Sequence, residues 1–484
     1  MTTHLPIKRI LITTNQFCEI KGSELVALEL VEHFLSLGWH VDLYTNLYLP
    51  PIATEVSRLD GQDRLRIEED PYAGYDYSYD LIWIQHCVLP PPIIHMLHDG
   101  IGSPVVWHHM SSHVPLELPI LSDIESKLAD LSTVVSGEVR EVVKSFNIEE
   151  SQIRVFDNPS PDRFGDAESA RRPPALRRLL IVSNHPPIEV LAARDHLRDE
   201  GIVVEMLGDR SRVERVRPDA LMGFDAVLTI GKTVQYSLSM GIPCYIYDHF
   251  GGEGWLTPET FDREAFYNFS GRSTKRFVGG DLITDELLGG YVDAAQFVRD
   301  NRSKFINRWR LSTQIDTLLQ SPEIRSASTK QLSDAQCRRL AAFNALHREM
   351  YRALEYHKLD LARHNDDLAL HRKELARHSA ESSRRRDELI RLEDELIRHR
   401  EERSRLEGEL ARRPKCSGDG KALSELRMLL ANRDAQLEEA TGAYTNLQST
   451  LADLHASLSW RVTSPLRRAN ALIRRTVSRV RNLK

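Results

Sequence analysis

The chain has 484 residues, of which 41% are hydrophobic and 28% charged, with a formal net charge of −6. This length allows three or four structural units. The negative charge argues against nucleic-acid binding by the molecule as a whole. Five scattered cysteines without a Cys-x-x-Cys pair predict neither a disulfide framework nor a cysteine zinc site. We also find no signal-peptide pattern and no apolar run of transmembrane length, so we expect a cytoplasmic protein.

Residues 1–165 alternate short apolar runs with amphipathic helical patterns. The run Lys8–Thr14 is a buried-strand pattern, a helix opens at Gly22 and ends at Gly38, and the next strand pattern begins at Trp39. Strands that alternate with helices form parallel sheets with right-handed crossovers. We therefore predict an α/β, Rossmann-like domain over 1–165.

A polar, proline-bearing stretch around 157–174 has the composition of a linker. The strand–helix alternation then restarts with the apolar runs Leu179–Val182, Val203–Leu207, Ala226–Ile230 and Pro243–Tyr247. We predict a second Rossmann-like domain over 166–325.

Residues 333–458 are rich in Arg, Glu, Leu and Ala and carry heptads, with a break near 414–420. Leu354, Leu361 and Leu368 begin one seven-residue register, whose companion positions are largely His or Arg. This pattern is typical of a coiled coil. We expect it to form a homo-oligomer or to bind a partner helix.

The segment 459–484 is basic: Arg461–Lys484 holds eight basic residues and no acidic one. Apolar residues at near-helical spacing accompany the arginines, which is typical of an amphipathic helix lying on an anionic membrane. We predict membrane-surface binding through 460–484. A disordered basic tail, or one that binds the chain's own acidic coil, is the alternative.

Two predicted strand-to-helix turns have the composition of anion sites. Gly22 and Ser23 follow the first strand, and Gly231, Lys232 and Thr233 follow a strand of the second domain. Glycine lets a ligand approach the backbone, and a helix N-terminus favours an anion. For the first turn the alternative is an ordinary strand-to-helix turn with a serine cap. For the second it is a helix N-terminus with a solvated lysine.

The segment Asp248–Leu256 follows the next predicted strand and holds three glycines in four positions. Such a loop can wrap a ligand closely, with Gly251 and Gly252 at the backbone and Glu253 accepting hydrogen bonds from sugar hydroxyls. A flexible surface loop is the alternative.

His86 and His109 lie at strand ends of the first domain, where a general base at a cleft would be placed. Structural histidines are the alternative. The pattern His-His-x-x-x-His around His109 lacks a nearby carboxylate or cysteine, so we predict no metal site.

These motifs, in this order, resemble the GT-B glycosyltransferases of bacterial surface-polysaccharide (O-antigen or capsule) assembly. KGSELVALELVEHFLSLGWHVDLYT is similar to that family's GGxE…LA…L…GHeVxvxT segment, and Gln235–Pro243 is similar to EAxAxGxPV. Gly251, Gly252 and Glu253 resemble the GGxxE loop. SLSWRVTSPLRR resembles the SxSWRxTxPLR tail that follows coiled coils in such enzymes.

The resemblance implies a hexosyl or deoxyhexosyl transferase that uses a nucleotide-sugar donor and a lipid-linked glycan acceptor at the inner face of the membrane. No cofactor and no metal is implied. The implied donor-binding residues are Lys232, Thr233, Gln235, Gly251, Gly252 and Glu253. The implied acceptor-side residues are Gly22, Ser23, His86 and His109, with His109 as the residue for proton transfer.

The family's paired glutamates are absent, since Val227 and Gln235 hold their positions. The stereochemistry is therefore open. Two other interpretations remain: an inactive GT-B and coiled-coil scaffold that organises assembly enzymes, or a nucleotide-sugar epimerase.

Overall fold

The computed structural model describes residues 8–75, 78–168, 172–208, 214–412 and 420–456. It divides into two compact units, residues 1–355 and 356–484. The first unit contains both β-sheets, and the described residues of the second, 356–412 and 420–456, are helical.

The first sheet has seven parallel strands in the order β3-β2-β1-β4-β5-β6-β7. Its strands are β1 (Arg9–Thr14), β2 (His40–Thr45), β3 (Leu65–Glu68), β4 (Leu81–Gln85), β5 (Val105–His109), β6 (Leu131–Val134) and β7 (Ile153–Val155). In the centre, Ile12 lies opposite both Leu43 and Trp83. The strand order reverses between β1 and β4, and ligands of open parallel sheets bind beyond the carboxyl ends at such a point.

Helices cover both faces of this sheet, because its central strands are apolar on both faces. They are α1 (Gly22–Ser36), α2 (Ile52–Val56), α3 (Pro91–Asp99), α4 (Ser122–Leu128) and α5 (Gly137–Ser145). The next helix, α6 (Asp162–Asp166), instead buries Phe164 in the core of the second sheet's domain. Trp83 is buried with the apolar side of α1 on one face, and Trp107 is buried with α3 and α4 on the other.

The second sheet has the order β12-β11-β10-β8-β9, with only β12 antiparallel. Its strands are β8 (Arg178–Val182), β9 (Val203–Leu207), β10 (Ala226–Thr229), β11 (Cys244–Asp248) and β12 (Gly251–Trp255). The helices of this part are α7 (Ile188–Asp199), α8 (Pro218–Met222), α9 (Lys232–Ser239), α10 (Phe261–Phe266) and α11 (Gly280–Trp309). Its reversal of strand order lies between β8 and β10.

The chain returns to the first sheet after α11. Helix α12 (Leu311–Leu319) buries Leu311 and Ile315 in the first sheet's core, and α13 (Pro322–Arg325) follows. Extended backbone at Arg310 separates α11 from α12. The residues just before the predicted boundary at 325 therefore pack on the first sheet rather than on the second.

Two long helices follow, α14 (Asp334–Arg412) and α15 (Gly420–Ala456). The first turns of α14 pack on the first sheet's helical layer, where Leu340 is fully buried and the Asn344 side chain accepts a 2.6 Å hydrogen bond from the Leu89 amide. In the second unit, Arg403 lies 2.8 Å from Asp434 and joins α14 to α15.

Helix is thus the structure over most of 333–458, and the coiled coil itself remains a prediction. Most of the predicted break, and the whole segment 459–484, lie outside the described residues. None of the described helices is long and apolar enough to cross a membrane.

Candidate functional site

The carboxyl ends of the two sheets approach each other. Asn158, which follows β7, donates a 3.2 Å hydrogen bond to Asn268 of the second sheet's domain. Glu138, which follows β6, pairs with Arg272 at 2.5 Å. Because ligands of parallel sheets bind beyond the carboxyl ends of the strands, the crevice between these two edges is the candidate site.

On the first sheet's side, Gly22 and Ser23 begin α1, as the sequence predicts. A methyl group on Gly22 would meet nothing within 4 Å, so the backbone is open to a ligand there. The Ser23 carbonyl accepts a 3.0 Å hydrogen bond from the Gln85 side chain. Gln85 ends β4, so the turn after β1 and the end of β4 are joined at the switch point.

Glu24, next to this turn, holds the glutamate position of the GGxE motif, although the sequence alone assigns it no role. Its carboxyl is fully buried, and one oxygen accepts from the amides of Glu19 (2.8 Å) and Cys18 (3.2 Å). The other oxygen is buried without a hydrogen-bond partner among the described residues. Burial raises the pKa of Glu24 to about 7, although the two amides oppose the shift. A carboxyl with this pKa can exchange a proton near neutral pH.

His86 lies where the sequence places it, directly after β4. Its backbone has a φ of 58°, a conformation that costs energy in a residue other than glycine and is concentrated at functional sites. Its Nδ1 lies 3.4 Å from the Glu117 carboxylate. Burial acts to raise the pKa of Glu117, but His86, His113 and His347 together outweigh burial, and the pKa lies below its usual value. A buried His86 and a partly buried Glu117 therefore form a pair at the strand edge.

His109 points into the sheet's helical layer. Its Nε2 lies 2.7 Å from a Glu125 oxygen, which also accepts a 2.6 Å hydrogen bond from Ser132. Both side chains of the His109–Glu125 pair are buried. The residue expected to transfer a proton thus has its Nε2 bound within the fold, because alternate residues of β5 face opposite sides of the sheet.

On the second sheet's side, Lys232 crosses to the first domain. Its Nζ lies 2.7 Å from Glu29 of α1 and donates a 2.7 Å hydrogen bond to the Pro159 carbonyl. Burial lowers the pKa of Lys232, with Glu29 opposing the shift. The sequence resemblance predicts that this lysine binds a donor diphosphate, whereas in the structure it joins α9 to α1. The neighbouring Thr233 is partly exposed.

Gln235 is buried one turn into α9, and its side-chain amide donates to backbone carbonyls at the start of the same helix. Its amide group lies 2.8 Å and 3.0 Å from the carbonyls of Gly231 and Lys232, and 3.3 Å from the Asn268 amide. Sequence alone does not reveal this, because the contact with Asn268 depends on how the later chain folds back.

Gly231 shapes the turn before α9. Its φ is +62° and its ψ is −137°, a conformation that is essentially restricted to glycine. A methyl group there would meet nothing within 4 Å. The turn is therefore open above the backbone at the N-terminus of α9, which suits a phosphate.

Gly251 and Gly252 form the start of β12 rather than a free loop. A methyl group on Gly252 would lie 1.9 Å from the Ile246 carbonyl oxygen, and one on Gly251 would lie 2.3 Å from the Arg276 carbonyl oxygen. These glycines are required by close backbone packing. Glu253 pairs with Arg263 at 2.7 Å, so its carboxylate already has a partner.

Asp248 and Ser183 meet at the carboxyl edge of the second sheet, and neither is among the site residues that the resemblance implies. Asp248 ends β11 and is 5% exposed, and its carboxylate accepts a hydrogen bond of 3.1 Å from the Ser183 hydroxyl. Burial raises the pKa of Asp248. The sequence signal for Asp248 is an acid directly after a buried strand.

The site as described offers neutral hydrogen-bonding groups, a helix N-terminus and two buried carboxyls. Within the described residues, no group of three or more His, Cys, Asp or Glu side chains is placed to hold a metal ion. The neutral hydrogen-bonding groups and the helix N-terminus can bind hydroxyls and phosphates, and the buried carboxyls can accept or donate a proton.

No protein-family description and no curated protein matches this chain. Among solved structures, a glycosyltransferase from Rickettsia africae ESF-5 is 12% identical, covers 67% of this chain and 100% of its own, and has a TM-score of 0.43. Anabaena Alr3699/HepE in complex with UDP-glucose is 12% identical, covers 64% and 98%, and has a TM-score of 0.42. A UDP-N-acetylglucosamine 2-epimerase is 11% identical, covers 60% and 91%, and has a TM-score of 0.34.

Proposed function

We propose that the chain is a GT-B glycosyltransferase that moves a sugar from a nucleotide-sugar donor to a lipid-linked glycan in cell-surface polysaccharide assembly. The observation that carries this proposal is the crevice between the carboxyl ends of two parallel sheets. Each sheet has its own reversal of strand order facing that crevice. Two such points provide two binding sites, which a transfer between two substrates requires.

The donor is proposed to bind on the second sheet. The open turn at Gly231 and the first amides of α9 receive the diphosphate, and Thr233 lies beside it. Asp248 and Ser183, at the neighbouring strand ends, accept hydrogen bonds from the nucleotide or the sugar. Lys232 acts by holding this helix against the first domain.

The acceptor is proposed to bind on the first sheet, near Gly22 and Ser23. Glu24 or His86 accepts the proton of the acceptor hydroxyl, whose oxygen forms the new bond to the anomeric carbon. The bond from that carbon to the diphosphate breaks, and the amides at the α9 N-terminus stabilise the charge on the leaving group.

The C-terminal region is proposed to place this unit at its substrate. The long helices α14 and α15 act as an oligomerisation or partner-binding region. The segment 460–484 binds the anionic inner face of the membrane, where a lipid-linked acceptor is found.

One observation favours a scaffold without activity as the second candidate. Lys232 and Gln235 form hydrogen bonds within the fold, and the paired glutamates of the resembled family are missing. A scaffold of this kind would fold normally and bind no nucleotide sugar.

The test is transfer by the full-length protein. Radiolabelled UDP-, GDP- and dTDP-sugars are incubated separately with bacterial membrane lipids, and label in the lipid extract is counted. We expect one of the donors to label the lipid fraction. The double variant Glu24→Gln/His86→Ala should reduce the rate of labelling at least 100-fold. His196→Ala, which changes an exposed histidine on α7, should have no effect. Absence of label from every donor would favour the scaffold.

A further inference from the structure

A cavity of about 710 Å³ lies between the first turns of α14 and the segment that follows β3. Asn344, Arg348 and Arg352 of α14 form one wall, and Asp70 and Tyr72 form the other. Small-molecule sites have volumes of roughly 300–1,000 Å³, so this cavity is large enough to hold one sugar ring or two.

A second cavity of about 690 Å³ continues from the first one, and the two share Tyr72 and Pro91. The second is lined by residues of α3, among them His95 and Asp99. We call the two together the α14 groove. Its two lobes on either side of Tyr72 suit an extended ligand of several linked units.

The chemistry of the groove suits a neutral, hydroxyl-rich ligand. Arg348 and Arg352 are balanced by Asp70 and Glu349, so its larger lobe has no excess charge that would select a phosphate. Tyr72 is 78% exposed, and its ring is free to cover the apolar face of a sugar.

Arg348 lines the groove and also interacts with Tyr44 in its wall. The positive charge of Arg348 and its hydrogen bond to the Tyr44 side chain oppose the rise that burial causes in the pKa of Tyr44. The guanidinium has five N–H donors, so those that line the groove can donate to sugar hydroxyls. Arg352, one turn later, is fixed by a 3.1 Å hydrogen bond from its Nε to the Asn46 carbonyl.

The groove adjoins the candidate acceptor site through Asn46. The Asn46 amide donates a 3.0 Å hydrogen bond to the carbonyl of Asn15. Asn15 follows β1 directly and therefore lies at the first sheet's switch point. The groove is thus linked through Asn46 and Asn15 to the segment that leads from β1 into the turn at Gly22.

We propose that the α14 groove binds saccharide units of the acceptor glycan. This proposal rests on the proposed function. It adds that α14, which leads into the C-terminal region, forms part of the acceptor site. Tyr72 and Arg348 are the residues proposed to contact the saccharide.

The test uses saturation-transfer NMR on the full-length protein with methyl glycosides of glucose, galactose, mannose, N-acetylglucosamine and rhamnose, and inorganic phosphate as a competitor. We expect at least one glycoside to bind. Tyr72→Ala and Arg348→Ala should each reduce its saturation at least fivefold. The matched controls are Tyr356→Ala, an exposed tyrosine, and Arg338→Ala, an exposed arginine earlier in α14, and both should bind as the unchanged protein does.

The proposal is overturned if no glycoside binds, if the controls lose as much binding as the groove variants, or if phosphate displaces the glycoside. Nucleotide titration of the same proteins separates this result from the proposed function. Nucleotide binding without glycoside binding contradicts the groove alone. Glycoside binding without nucleotide binding contradicts the transferase and with it the acceptor role of the groove.

Discussion

Lys232 on α9 and Glu29 on α1 form a charged pair across the two sheet domains, with 2.7 Å between Nζ and Oε2. Their side chains are 4% and 0% exposed. Arg215 lies 3.5 Å from the same Glu29 carboxylate, and the Tyr236 hydroxyl donates to it. One acidic residue of the first domain therefore holds three groups of the second.

Removing Glu29 should be strongly destabilising. Glu29→Ala leaves Lys232 buried without its partner, and breaking such a pair costs about 3–5 kcal/mol. We expect this loss in the free energy of unfolding by urea at pH 7. The double variant Glu29→Gln/Lys232→Met should lose less than the sum of the single variants. Glu150→Ala, which breaks an exposed pair, should change stability by about 1 kcal/mol or less. Similar losses in Glu29→Ala and Glu150→Ala would contradict the importance of the pair.

Glu24 should make stability fall as pH rises. Its pKa is about 7 in the fold against 4.5 as a free side chain, so its protonated form is the one that the fold favours. The stability it contributes is present below pH 4.5 and is lost as the pH rises through 7. We expect Glu24→Gln to match the unchanged protein at pH 4.5 and to be more stable by up to about 3 kcal/mol at pH 8. A difference that does not change with pH would contradict this assignment.

His347 should make the stability of α14 fall as the pH falls, the opposite of the pH dependence expected for Glu24. It is 1% exposed, its Nε2 bonds to the Leu116 carbonyl at 2.8 Å, and burial lowers its pKa to about 4 from 6.5. A depressed histidine pKa contributes stability above pH 6.5 that is lost as the pH falls through 4.

Hydrogen exchange of the α14 amides over 334–352 measures this effect locally. Their protection should fall between pH 6.5 and 4 in the unchanged protein, after correction for intrinsic exchange. His347→Gln, which can still donate to Leu116, should show a smaller decrease. Equal decreases in the two proteins would exclude His347 as the cause.

Gly231 should be required for both the turn and nucleotide binding. Gly231→Ala forces a side chain into a glycine-only conformation, at a cost of about 1–3 kcal/mol. If phosphates approach this backbone, nucleotide affinity should fall at least tenfold in calorimetry. Gly223→Ala is the matched control, because Gly223 has an ordinary φ of −75° and equally open space. Equal nucleotide affinities for the two variants would place the phosphates elsewhere.

The central strands of both sheets are predictable from sequence. The runs that become β4 and β11 are apolar except at their last residue, and β1 is apolar at Ile10–Ile12, as expected for strands buried on both faces. The sequence analysis missed the edge strand β3, whose residues are all partly exposed and include Arg66 and Glu68. Such a strand is recognised mainly from its pairing with β2.

The places of the candidate residues at strand ends are predictable from the sequence, but the directions of their side chains are not. Gly22, Ser23 and His86 lie at the sheet edge, since a turn after an apolar strand is a local feature. The partners of Lys232 and His109 are Glu29 and Glu125, which come from other helices. Only the packing of those helices decides whether a strand-end residue faces the crevice or the core. The need for glycine at position 252 also depends on packing between elements, because the Ile246 carbonyl that a side chain would meet belongs to the neighbouring strand.

Calorimetric titration of the full-length protein with UDP, GDP and dTDP tests the central claim most directly, with folding of the sample checked by circular dichroism. The account predicts that one of the three nucleotides binds with a Kd in the micromolar range and that Gly231→Ala weakens that binding. A folded protein that binds none of them would contradict the nucleotide-sugar transferase and would favour the scaffold.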